Sequence, residues 1–122
     1  MTYVDGFVLP VPKRKLNAYR KLAQAAGKAW RRHGALEYFE CAGDDLKSKW
    51  STLKFAKMAR AKKGETVVFS FIVYKSKAHR NKVTAKVMKE FSADTHKEKE
   101  MPFDMKRMAY GGFKAIVDIR KR

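Results

Sequence analysis

Residues 66–74, TVVFSFIVY, form an apolar run in which a strand would bury both of its faces. Val67, Phe69, Phe71 and Val73 alternate to one side, and Val68, Ile72 and Tyr74 to the other, because successive side chains of a strand point to opposite faces. Such a strand belongs in the interior of a sheet with a layer on each side. A chain of 122 residues has room for one domain, and so for helices on one face of the sheet. The other layer then has to come from outside the chain. A second copy, packed sheet to sheet about a two-fold axis, is the economical expectation.

The rest of the chain alternates strand and helix. Residues 2–9 alternate Tyr3, Asp5, Phe7 and Leu9 against Val4, Gly6 and Val8, and Pro10 and Pro12 are expected to end that strand. Leu16, Tyr19, Leu22, Ala23, Ala26 and Trp30 recur at steps of three and four, which predicts a helix over 13–33 closed by Gly34. Residues 35–42 read as a second strand, with a turn at 43–45. Ser76 is placed to cap a second helix, on which His79, Val83, Val87 and Phe91 share a face. Residues 92–106 hold Pro102 and read as loop or a short helical turn. A last strand is expected over 107–119, with a bulge or a close backbone approach at Gly111 and Gly112. The order β-α-β, linker, β-α-β is the split βαβ or ferredoxin-like arrangement. The expected fold class is therefore α+β: one ferredoxin-like domain over residues 1–122, with a four-stranded antiparallel sheet. Two chains would pack their sheets into a dimeric α/β barrel, and a basic linker at about 44–64 would join strands two and three.

The chain carries 29 Lys plus Arg against 12 Asp plus Glu, a formal charge of +17, with 45% hydrophobic residues. That apolar share fits a folded domain and not a disordered basic tail. No apolar run approaches the roughly 20 residues of a membrane-spanning helix. The first residues do not resemble a secretory signal, and a single cysteine, Cys41, forms no internal disulfide. The expected setting is cytoplasmic.

Stretches YVDGFV (3–8), AYR (18–20), GALE (34–37), EC (40–41), VVFS (67–70), Tyr74, Ser76, HR (79–80) and MPFDMKRMAYGGF (101–113) run in order through the chain. On these residues it resembles the YbaA-like family of small bacterial proteins of unknown function. The resemblance implies a ferredoxin-like fold and a dimeric α/β barrel, and it supplies no reaction. Met105 stands where the family pattern has glycine, and Ala109 where it has a larger aliphatic residue. The segment 46–64 replaces a loop of mixed charge by one without an acid.

Catalytic motifs are scarce: there is no glycine-rich phosphate loop, HExxH, CxxC or GxSxG. His33, His79, His96 and Cys41 are too dispersed for a local metal site, so neither metal nor cofactor is expected. Cys41 stands beside Glu40 and reads as a buried structural thiol. The polar candidates for holding a small anionic ligand near the last strand are Lys106, Arg107 and Tyr110. Asp5 or Asp104 would orient them, and the His79 and Arg80 pair would stand nearby. A turn at Asp104 with Arg107 as its ion-pair partner accounts for the same residues without a ligand. The alternative function is nucleic-acid or other polyanion binding by the basic helices and the linker. There Lys47, Lys49, Lys54, Lys57, Arg60, Lys62 and Lys63 surround Trp50, and Leu46, Trp50 and Leu53 fall at helical spacing. A solvated linker pinned to the domain by Trp50 and Leu53 is the competing reading.

Overall fold

The computed structural model describes residues 1–92 and 101–120. In chain order the elements are β1 (Tyr3–Pro12), α1 (Leu16–Arg32, entered through a 3-10 turn at Lys13–Lys15), β2 (Glu37–Ala42), α2 (Phe55–Met58), β3 (Glu65–Tyr74), α3 (Lys77–Ser92), a 3-10 turn at Met105–Arg107 and β4 (Ala109–Lys114). The four strands form one antiparallel sheet in the order β2-β3-β1-β4. The described residues form an α+β fold with an open four-stranded sheet and three helices.

Register sorts the side chains into two faces. Tyr3, Asp5, Phe7 and Leu9 of β1 lie opposite Tyr74, Ile72, Ser70 and Val68 of β3, on the face that α1 and α3 cover. The core there falls into two clusters. Tyr3, Ile72 and Tyr74 pack with Val83 and Val87 of α3, while Leu9, Val11 and Val68 pack with Tyr19 and Ala23 of α1. Ser76 does cap α3, its hydroxyl accepting from the His79 amide at 3.1 Å. At the end of α1, Gly34 takes φ +118°, a conformation that suits glycine.

Among the described residues the second face is largely uncovered. Phe39 stacks on Phe71 with centroids 5.0 Å apart, Phe69 lies 5.7 Å from Phe71, and Phe39, Phe69 and Phe113 remain exposed. Cys41, paired with Phe69 in the ladder, points the same way and is exposed. This corrects the expectation of a buried thiol: strand parity turns it to the uncovered face.

Three local expectations change. Pro10 and Pro12 lie inside β1 rather than after it. Pairing with β4 stops at Val8, so the proline nitrogens beyond it interrupt no ladder on that side. The last strand stops at Lys114, because its partner β1 begins at the facing Tyr3. Gly111 and Gly112 pair in unbroken register with Gly6 and Asp5, so there is no bulge. The close approach is real. A Cβ on Gly112 would lie 2.3 Å from the Tyr3 hydroxyl and 2.7 Å from Arg80 Nη2.

Candidate functional site

Between α1, α3 and the helix-covered face of the sheet lies an open groove of about 1190 Å³, larger than the roughly 300–1,000 Å³ common for small-molecule sites. It opens where the two core clusters part. Its floor is Phe7, Leu9, Ser70 and Ile72, and its walls carry Trp30, Tyr38 and Phe91 with Met88, Met105 and Met108. Glu40 of β2 stands in the wall. Its two carboxylate oxygens accept hydrogen bonds from the Tyr19 and Tyr38 hydroxyls, each at 2.7 Å. Burial, then the bond and charge of Glu40, push both phenols far above the usual tyrosine range. At neutral pH both keep their protons and act as donors. Gly27 lets this wall form, since a Cβ there would fall 2.7 Å from the Tyr38 ring.

A polar network adjoins the groove through Trp30. The Trp30 indole N–H donates to the Tyr74 hydroxyl at 3.0 Å, and Tyr74 donates to Asp5 Oδ2 at 2.9 Å. Tyr110 donates to Asp5 Oδ1 at 3.3 Å, and Arg80 Nε stands 3.4 Å from the same oxygen as an ion pair. Arg80 also donates to the Tyr3 hydroxyl at 3.1 Å and lies over the Tyr3 ring. Asp5 is 2% exposed, and these hydrogen bonds and the ion pair offset the cost of burying a carboxylate. Burial followed by Asp5 raises Tyr74 and Tyr110 above the ordinary phenol value. The Tyr3 hydrogen bond, ahead of Asp5, raises Arg80.

Of the residues singled out as anion ligands, the fold brings Asp5, Arg80 and Tyr110 together. His79 sits on the same helix end, its Nδ1 accepting from the Lys75 amide at 3.0 Å and its ring edge-on to Tyr74. Asp104, Lys106 and Arg107 gather elsewhere. Asp104 accepts from the Lys106 amide at 2.9 Å and from Arg107 Nε at 3.0 Å, forming the 3-10 turn. Arg107 also grips both oxygens of Glu65 at 2.7 and 2.8 Å and reaches the Arg60 carbonyl. Glu65 pairs with Pro12, seven residues along β1 from Asp5, or about 23 Å at ~3.3 Å per residue. The groove residues Tyr19, Tyr38, Glu40 and Ser70 were not among the sequence candidates. Glu40 sits on an ordinary alternating strand, and only the fold puts two tyrosines from different elements against it.

The linker is mostly irregular, with the single turn α2, and residues 46–53 are not helical. Trp50 is 98% exposed and Leu53, Phe55 and Met58 are exposed as well. Trp50 and Leu53 therefore do not pin the linker to the domain. Lys54 is turned back onto the Ser48 and Ser51 carbonyls, while Lys47, Lys49, Lys57, Arg60, Lys62 and Lys63 are exposed. Among the described residues no His, Cys, Asp and Glu group could hold a metal, and no helix is long and apolar enough to cross a membrane.

An open antiparallel sheet with two helices on one face and a groove beneath them defines a small α+β domain. Residues 2–105 match the family described as "Protein of unknown function (DUF1428)", and the chain belongs to that family. It is 42% identical over 118 residues to "Uncharacterized protein YbaA" of Escherichia coli K12, covering 97% of this chain and 99% of that one. The same figures hold for YbaA of Shigella flexneri. Among solved structures, the "De novo designed protein Foldit4" aligns with a TM-score of 0.45 at 10% identity, over 94% of this chain and 99% of that one.

Proposed function

We propose that the chain is the protomer of a cytoplasmic, ferredoxin-like homodimer that holds a small organic molecule in the groove between its helices and its sheet. The groove itself carries this reading: about 1190 Å³, walled by aromatic and methionine side chains, with one oriented carboxylate. Such a concave apolar site with few fixed polar groups is the usual form of a small-molecule pocket. The reading relocates the ligand from the Lys106 and Arg107 turn, where Glu65 and Asp104 already pair with Arg107. The test is fluorescence titration with small aromatic compounds in a Trp50→Phe background, which leaves Trp30 as the reporter. Saturable quenching is expected, and a flat response across the panel would contradict the reading.

The dimer rests on the aromatic open face. On that face Phe39, Phe69 and Phe113 are exposed at 48%, 46% and 62%, an unusual cost for large aromatic side chains. A sheet-to-sheet contact covering Phe39, Phe69, Phe71 and Phe113 would supply the missing layer and enclose Cys41. Sedimentation should give twice the chain mass, and Phe71→Asp should give the single chain.

The linker favours a second reading. A fully exposed tryptophan among Lys47, Lys49, Lys57 and Lys63 suits charge plus stacking on a nucleic acid. Binding to single-stranded RNA should then weaken steeply with salt and lose strength in Trp50→Ala.

A further inference from the structure

Among the described residues, the charges that face the groove are opposite in sign to the net charge of the chain. The chain carries +17, yet the described lining contains no Lys, Arg or His, and its charged members are Glu40 and Glu90. Glu90 is spoken for: Arg32 and His33 hold it at 2.6 and 2.8 Å. Glu40 has no cationic partner among the described residues. Its contacts are two neutral phenols, one to each oxygen. These donors orient the carboxylate without neutralising it, and a carboxylate accepts about four hydrogen bonds. The same groove carries aromatic faces, Trp30, Tyr38 and Phe91, with the Trp30 and Phe91 centroids 6.0 Å apart, and polarisable methionines such as Met88 and Met105. Aromatic faces attract cations, and thioethers fit varied apolar shapes.

We infer that the groove selects a small organic cation, an amine or quaternary ammonium on an apolar or aromatic body, with Glu40 as its counter-charge. The inference rests on the groove being a ligand site and names the class of ligand. It also runs against the overall field, which draws anions to the surface. A preference for cations therefore has to come from the groove.

Three probes sharing one skeleton separate the possibilities: 4-phenylbutylamine, 4-phenylbutanol and 4-phenylbutyrate, titrated calorimetrically into the full chain at physiological salt. The amine should bind about tenfold more tightly than the alcohol, the usual gain of a charge-assisted hydrogen bond, and the butyrate most weakly. Glu40→Gln should erase the amine's advantage while the alcohol still binds. Alcohol affinity unchanged from wild type in Glu40→Gln guards against a folding defect in that variant. Equal binding of amine and alcohol, a preference for the butyrate, or an amine preference that survives Glu40→Gln would overturn the inference alone. Failure of all three probes would overturn the groove as a site.

Discussion

Gly112→Ala is the sharpest perturbation of the packing that supports the Asp5 network. The added methyl carbon would sit 2.3 Å from the Tyr3 hydroxyl, 2.8 Å from Tyr3 Cε2 and 2.7 Å from Arg80 Nη2. None of these atoms is free to swing away. Tyr3 is buried, and Arg80 is tied to both Tyr3 and Asp5. Overpacking of this kind costs about 1–3 kcal/mol, and losing the Arg80 to Tyr3 bond adds about 1 kcal/mol. Replacing a strand glycine returns about 0.5–1 kcal/mol of backbone entropy. The net expectation is a loss of about 2 kcal/mol. Urea denaturation at fixed protein concentration measures it, with Tyr3→Phe as the second arm of a double-mutant cycle. Removing the hydroxyl removes the closest contact, so the double variant should be more stable than additivity allows by about 1 kcal/mol. A neutral Gly112→Ala, or strict additivity with Tyr3→Phe, would refute the reasoning.

The Arg107 hydrogen bonds, ahead of the Lys62 amide and its charge, hold the Glu65 carboxyl down to about 2, against an ordinary value of 4.5. The folded value is the lower one, so this pair stabilises the fold above about pH 4.5 and the benefit is lost as pH falls toward 2; thermal melts of wild type should decline across that window more steeply than those of Arg107→Met. Ser76→Ala removes the cap of α3 and should cost about 1 kcal/mol in urea denaturation. Gly27→Ala gains about 1 kcal/mol of helix propensity but drives a methyl into Tyr38, and should be a net loss of about 1 kcal/mol. The same substitution should weaken probe binding in the groove, because Tyr38 orients Glu40.

Much of the architecture is legible in local pattern. The 3.6-residue recurrence from Leu16 to Trp30, the serine before α3 and the unbroken apolar run of β3 each have a short-range cause, and each element lies where its pattern falls. Strand ends were less legible, because they depend on partners: β4 stops where β1 has no more residues to offer, and β1 runs through two prolines because β4 has already left. The candidate site divides the same way. Asp5 and Tyr110 were visible as polar residues on expected strands and Arg80 on the expected second helix, and the fold brings them together. Arg107 was visible too, but its partner Glu65 starts a strand 42 residues earlier. Glu40 carried no signal, since its importance comes from Tyr19 and Tyr38 meeting at its two oxygens.

The groove is the centre of the proposed function, and methionine methyl NMR tests its occupancy most directly. Met88, Met105 and Met108 line the groove, while Met1 and Met58 lie outside it, so labelled methyl groups report on location as well as on binding. Titration of the full chain with 4-phenylbutanol, which carries no charge to be drawn to the basic surface, should shift the first three resonances saturably and leave Met1 and Met58 in place. Shifts confined to Met58, or no shift at any methyl while the protein remains folded, would contradict the assignment of the groove as the binding site.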